Sequence, residues 1–263
     1  MLLILMAGLT VGLLMERHGI SYRAIARNIG NYKNHHRAAG IKECVLRWLS
    51  TARGRVDQVL DDDGLAFRLD VRDEGVIEVF FEDAQGSIVS DTTSLTGRRR
   101  EIVEDMKFLL DQVPPDQRPD DLYRPVGPAE LSFNMAPDMA IRALCLSVIS
   151  VPDKALDAAE AIVRRRESGK AAPGDIAGIL RELPIQERER REIASMLVSS
   201  PSLYKVRADT RDTSGYLLDR SVGLYKVDDT KSDTFAQGGA FLTWDSLTLE
   251  DRDRLPSARY SNP

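Results

Sequence analysis

The chain reads as an α+β protein. A long N-terminal helix is packed on a small antiparallel sheet, and a large helical domain is inserted between the two hairpins that make the sheet. Three observations predict this. Apolar residues recur at three- and four-residue spacing from Ile41 to Val59, the period of one helix face. Alternating runs at Leu65–Phe81 and Tyr204–Val227 each read as a hairpin. Amphipathic segments of helical period fill the stretch between them.

Met1–Met15 is almost wholly apolar, and no charge interrupts it before Glu16. A bilayer takes roughly 20 such residues. The run therefore reads as a membrane helix that either starts upstream of Met1 or continues through Gly19 and Ile20, with Arg17 reaching back to the headgroups. A buried core helix is the alternative. From there the helix is expected to continue to about Leu60. Gly19, Gly30 and Gly40 weaken it, at about 1 kcal/mol each, without ending it. Ile41, Val45, Trp48, Ala52, Val56 and Val59 draw its apolar stripe.

The same helix is basic. Arg17, Arg23, Arg27, Lys33, Arg37, Lys42, Arg47, Arg53 and Arg55 face only Glu16 and Glu43, while the whole chain carries a formal charge of −5. The remainder is therefore acidic, which argues against a general nucleic-acid binder.

Asp61–Gly64 is a turn signal, and Leu65, Phe67, Leu69 and Val71 alternate as a strand. Arg72–Gly75 turns the chain, with Gly75 where a positive φ is needed, and Ile77, Val79 and Phe81 return it. A helix is expected over Arg98–Val113. The prolines from Pro114 to Pro128 mark extended loop. Further helices follow Pro137, Pro152 (to about Gly169) and Pro173, and a last one covers Gln186–Val198 with Ile193, Met196 and Leu197 inward and Glu187–Glu192 outward. Tyr204–Ala208, a turn at Thr213–Gly215 and Tyr216–Val227 form the second hairpin. From Asp228 the chain reads as a tail whose apolar island, Phe241, Leu242 and Trp244, docks on the domain. The expected divisions are 1–20 embedded in membrane, 21–95 stalk helix and first hairpin, 96–200 helical insertion, 201–228 second hairpin and 229–263 flexible tail.

This order resembles the K-type minor pseudopilins of type II secretion systems (general secretion pathway protein K). Phe81-Glu82-Asp83-Ala84-Gln85-Gly86 is similar to the family's acidic run after the early strands. Leu131-Ser132-Phe133-Asn134-Met135-Ala136-Pro137 is similar to the stretch that opens its helical insert. Ser200–Ala208 is similar to its following strand. The resemblance implies a pilin-like fold and a non-enzymatic subunit held in the inner membrane by Met1–Met15. It also implies a single-pass topology with the head in the periplasm, and partners among other minor pseudopilins at the pseudopilus tip. Most pilin-like stems carry a glutamate near their start, which K-type members lack, and Leu2–Met15 holds no acid. Calcium is implied by the resemblance only, and no ligand residue is assigned.

The residues carry no nucleophile motif, P-loop or dinucleotide fingerprint, so no catalytic, cofactor or metal residue is assigned. His35 and His36 are adjacent, about 100° apart on a helix, and read as surface histidines. Asp61–Asp63 lacks the D-x-D-x-D-G pattern and closing Glu of a calcium loop and reads as a solvated turn. Cys44 and Cys145 are too few for a disulfide framework and read as two buried free thiols, with a bond between them in an oxidising compartment as the alternative. The second functional reading is a membrane-anchored helix-hairpin-helix protein that binds nucleic acid. Its hairpin would be Ser150-Val151-Pro152-Asp153, which has no glycine and contains an acid, so it presents backbone N–H groups poorly. Arg164–Arg166 and Arg188–Arg191 lie among acids and read as solvated helix faces.

Overall fold

The computed structural model describes residues 23, 28–30, 32–33, 35–50, 59–60, 63–72, 75–169, 175–227 and 239–247. The chain divides into two compact units, Met1–Trp48 and Leu49–Pro263.

The N-terminal helix is continuous over 35–50, and Gly40 lies inside it. Ala38, Ile41, Val45 and Leu49 are buried on it. The stripe thus runs through Leu49, and Trp48 sits half-buried at its shoulder. Ala52 and Val56 lie outside the described residues, as do Met1–Met15 and the whole expected membrane start at 1–20. Among the described residues no helix is long and apolar enough to cross a membrane.

In the second unit β1 (Leu65–Val71) and β2 (Gly75–Asp83) form the first hairpin. Gly75 turns it at φ +119°, where a Cβ would sit 1.9 Å from the Arg211 carbonyl oxygen; no side chain fits there. The chain then leaves the sheet. β3 (Ile88–Val89) precedes α1 (Gly97–Asp111), which buries Ile102, Val103, Met106 and Leu110. The proline stretch is more ordered than an extended loop. It holds a 3-10 turn at Pro115–Gln117 and β4 (Tyr123–Arg124), which pairs in parallel with β3. β5 (Leu131–Ser132) leads into α2 (Asp138–Val148) and α3 (Pro152–Glu167). α4 (Asp175–Glu182) and α5 (Glu187–Met196) follow. β6 (Leu197–Val198) ends the block in parallel with β5.

These helices enclose one apolar core that includes Phe133, Ile141, Leu144, Ala159, Ile162, Ile193 and Met196. Small residues on α3, Ala155, Ala158 and Ala159, let it lie close to α2. Two charged side chains depart from the solvated-face expectation. Arg166 bonds the Ala136 carbonyl and Asp138, tying the end of α3 to the start of α2. Glu189 is buried in the expected outward run, because its carboxylate closes the α5 capping box by accepting the Gln186 N–H at 2.9 Å.

β7 (Leu203–Arg211) and β8 (Leu217–Val227) then return to the first hairpin. β2 pairs antiparallel with β7 from Val76↔Arg211 to Asp83↔Tyr204. Among the described residues the sheet has five strands, ordered β1-β2-β7-β8 and then a strand at Gly239–Leu247, β9. The fifth, β9 (Gly239–Leu247), corrects the reading of 229–263 as flexible tail, since 239–247 is a strand paired to β8. The apolar island carries it: Phe241 stacks edge-on with Tyr225 and Trp244. Gly223 leaves the room for Trp244, whose ring would lie 2.5 Å from a Cβ there.

The sheet's two faces differ. One holds Val79, Phe81, Val206 and Ala208, all buried. The other carries a row of charge, Arg68↔Glu78↔Asp209↔Arg220, across four strands. Arg220 grips the buried Asp209 with two bonds, 2.6 and 2.8 Å, and Arg207 lies 4.4 Å over the Phe80 ring.

Candidate functional site

The three stretches singled out by sequence, Phe81–Gly86, Leu131–Pro137 and Ser200–Ala208, meet in one place. Gln85 is at its centre, 1% exposed. The Asp83 carboxylate fixes the turn after β2 by accepting the Gln85 N–H at 2.7 Å. The Gln85 carbonyl accepts the Ser132 N–H at 2.8 Å. Its side chain then works in two directions. Nε2 donates to the Glu130 carbonyl at 3.2 Å, and Oε1 accepts the N–H of Ser202 and, at 3.1 Å, of Leu203. One amide thereby joins the end of β2, the strand that opens the helical insert and the start of β7.

Neighbouring contacts tighten the joint. Phe133 N–H donates to Val198 O at 2.7 Å, and Asn134 Nδ2 reaches Ser199 O at 3.4 Å. At Gly86 a Cβ would lie 2.9 Å from the Met135 carbonyl oxygen, so the turn and the insert's entry strand approach to backbone distance.

Arg124 is the second centre. It is 4% exposed and bonds the carbonyls of Pro128 and Glu130 through Nη2. Among the described residues its buried Nε and Nη1 have no hydrogen-bond partner. Burial lowers its pKa to about 10, against the supporting charges of Asp83 and Glu130. Burial likewise pushes the Asp83 carboxyl up, opposed by hydrogen bonds and by the charge of Arg124. Glu130 pairs with Arg99 of α1 at 2.7 Å. This arrangement offers no activated nucleophile and no general base poised over a cleft. What it provides is a rigid polar joint between sheet and helical block.

The other sequence candidates lie elsewhere. His35 and His36 are both exposed, and His36 stacks edge-on with Tyr32, ring centroids 4.2 Å apart. His18, Asp61 and Asp62 lie outside the described residues. Asp63 accepts the Leu65 N–H at 2.9 Å, which is the turn reading. Among the described residues no three His, Cys, Asp or Glu gather in a way that would hold a metal. Both cysteines are free, but only Cys145 is buried; Cys44 is exposed, correcting the reading of two buried thiols. Burial pushes the Cys145 thiol up to about 12, which keeps it protonated and inert.

At the Ser150–Asp153 hairpin the Ser150 N–H donates to Glu189 Oε1 at 3.2 Å. A carboxylate of the protein's own α5 thus occupies a donor that a phosphate would need. Of the arginines beside it, Arg190 donates to the Leu183 carbonyl at 2.9 Å, and Arg188 and Arg191 pair with Glu192 and Glu187.

Comparison with family models, characterised proteins and solved structures finds no match. Gln85 and Arg124 were not singled out as individual residues by sequence. A glutamine beside a glycine after a strand gives no signal of its own. An arginine between prolines gives no signal of its own either, because Asp121 and Asp120 stand three and four residues before it and read as its local partners.

Proposed function

We propose that this chain is a K-type minor pseudopilin: a non-enzymatic subunit of a type II secretion system that forms or primes the tip of the periplasmic pseudopilus. In this reading Met1–Met15 is embedded in the inner membrane, and the N-terminal helix is laid on the sheet in the pilin manner. The head then stands in the periplasm. The observation that carries the reading is the pairing of β2 with β7, Val76↔Arg211 through Asp83↔Tyr204, across the entire helical block. Two hairpins that share one sheet while a helical domain is spliced between them is the order the K-type resemblance implies. The convergence of the three resembling stretches on Gln85 supports it further, since it gives each a physical reason to be where it is.

The work is mechanical. Pilin-like filaments grow by packing apolar stems side by side. Leu2–Met15 holds no acid, so it offers no carboxylate to a neighbouring subunit's terminal amine. The helical block makes the head bulky for a tight repeating array. Both features suit a subunit with neighbours on one side. In this reading a push delivered through the sheet passes to the helical block through the Gln85 joint.

The test is co-purification from detergent-solubilised membranes of the cells that make the chain. Recovery of other pilin-like subunits in near one-to-one ratio is the expected result. Recovery of the chain alone, as a long homopolymer, overturns the reading. Salt-sensitive micromolar binding of duplex DNA by the purified chain would favour the helix-hairpin-helix alternative instead.

A further inference from the structure

Arg124 is buried, yet most of its guanidinium goes unanswered. Its backbone is held in the β3–β4 pair, where the Arg124 carbonyl accepts the Ser90 N–H at 2.8 Å and the Ser90 hydroxyl at 3.0 Å. Its far end is held too, since Nη2 bonds the carbonyls of Pro128 and Glu130. At Gly127, φ +128°, a Cβ would lie 3.3 Å from Nε and 2.7 Å from the Leu203 side chain, so the loop closes over the guanidinium at backbone distance. Nε and Nη1 are thereby fixed in place, and among the described residues neither has a hydrogen-bond partner. Asp83 is the opposite charge that faces them. None of the Arg124 nitrogens bonds that carboxylate, because two are unpaired and the third goes to carbonyls. The Ser132 hydroxyl faces the same carboxyl and, at 0% exposure, stays outside full bonding distance of any partner. An unpaired N–H on a buried cation is costly, and a gap between buried polar groups is where proteins hold ordered water.

We infer that Arg124 and Asp83 form a water-separated ion pair, with one sealed water molecule accepting from the guanidinium and donating to the carboxylate. The chemistry selects water over an ion. Arg124 offers donors only, so it repels a metal cation and gives it no ligand. An anion would sit beside Asp83 and Glu130, whose charges already face Arg124. Water is neutral and small, and it both accepts and donates. The Ser132 hydroxyl is the third group in reach, and buried waters make about three such bonds. A single sealed molecule leaves Asp83 cut off from bulk solvent, in keeping with the raised carboxyl. The inference stands on the joint alone and does not use the pseudopilin reading. Its consequence is mechanical. A direct arginine–carboxylate fork fixes both distance and angle. A water between the charges keeps them coupled while the end of β2 and the β4 segment shift against each other.

The test uses the full chain, isotope-labelled and deuterated, in detergent micelles. It reads cross-peaks between water and the Arg124 side-chain N–H protons in a rotating-frame Overhauser spectrum, with those protons assigned through the Arg124 backbone. The expected result is a dipolar cross-peak from water to the Nε or Nη1 proton, opposite in sign to chemical exchange. It should persist in Ser132→Ala, which has no hydroxyl to relay it. Slowly exchanging N–H protons with no water cross-peak mean a direct partner within the protein, and overturn the inference. A pure exchange peak, or a resonance lost to exchange, means donors open to bulk solvent and overturns it as well. Loss of the cross-peak in a folded Ser132→Ala chain assigns the signal to the hydroxyl and removes the water. A saturable shift of the Nε proton when chloride replaces gluconate at constant ionic strength makes this an anion site instead.

Discussion

Phe133 and Gln85 are both sealed from water, at 0% and 1% exposure, and they are held by different physics. Phe133 sits in the apolar core of the helical block, where its contribution is transfer from water and close packing. Gln85 sits where the block meets the sheet, and its contribution is direction: one amide donating to Glu130 and accepting from Ser202 and Leu203. The block's interior tolerates changes that conserve volume, because dispersion is nondirectional. The joint does not, since any residue that fills the space without the bonds leaves buried backbone groups orphaned. A unit built this way has a core that sets whether it folds and a joint that sets how sheet and helical block are aimed.

The largest effect expected is at Phe133. Phe133→Ala should lower unfolding free energy by about 3–5 kcal/mol, read as a shift of the denaturant midpoint. Phe133→Leu, which keeps most of the volume, should recover most of the loss. Equal losses for Leu and Ala would mean the ring's shape matters more than its bulk.

At Gln85 the ranking by volume should break. Gln85→Ala orphans the Ser202 and Leu203 N–H groups, at about 1–3 kcal/mol each. Gln85→Met, of similar size, should do no better than Ala. Amide hydrogen exchange locates the damage, and the Ser202 and Leu203 amides should exchange faster while Ile141 and Leu144 in α2 remain protected. If Gln85→Met is as stable as the parent chain, the joint is held by packing and the contrast with Phe133 disappears.

The same contrast governs how far the fold is legible in the sequence. Periodicity finds apolar faces, so the helices and both hairpins are readable. Ile193 and Met196 point inward as their spacing requires. Periodicity does not separate Leu49 from Trp48 on a helix where both lie near the apolar side. Nor does it find β9, whose bulge between Leu224 and Tyr225 in the ladder puts Leu242 out of alternation and leaves it 41% exposed. Joints are the least legible. Gln85 and Ser202 are joined across a separation of 117 residues, and nothing local in either residue announces the other. Glu189 has a partner of each kind: Gln186, three residues before it, is the local capping-box signal, and Ser150, 39 residues away, is announced by nothing local.

The smallest effect is a difference in sign between two carboxylates on β2. Glu78 belongs to the charged row on the sheet surface, and its pKa is lowered, chiefly by the hydrogen bond from Arg68, with Arg211 adding to it. Because the folded value lies below the ordinary 4.5, Glu78 stabilises the fold fully above that pH. The contribution is lost as pH falls through the folded value. Asp83 belongs to the joint, and burial raises its pKa above the ordinary 3.8. Here the unfolded chain ionises first as pH rises, so stability is lost between 3.8 and the higher folded value and stays lost above it. Melting temperatures across the acid range should therefore diverge in opposite directions. The difference between the parent chain and Glu78→Gln should grow in the parent's favour as pH rises through the Glu78 titration. The difference from Asp83→Asn should move against the parent over the Asp83 window, because Asn mimics the protonated form and keeps an oxygen for the Gln85 N–H. The slope is the prediction, since the attraction of Arg124 for the ionised carboxylate is already contained in the raised folded value, and only the difference in packing between Asn and protonated Asp offsets the curves independently of pH. Parallel slopes for the two variants would mean that Asp83 is ionised as freely as a surface carboxylate, and that water reaches the joint.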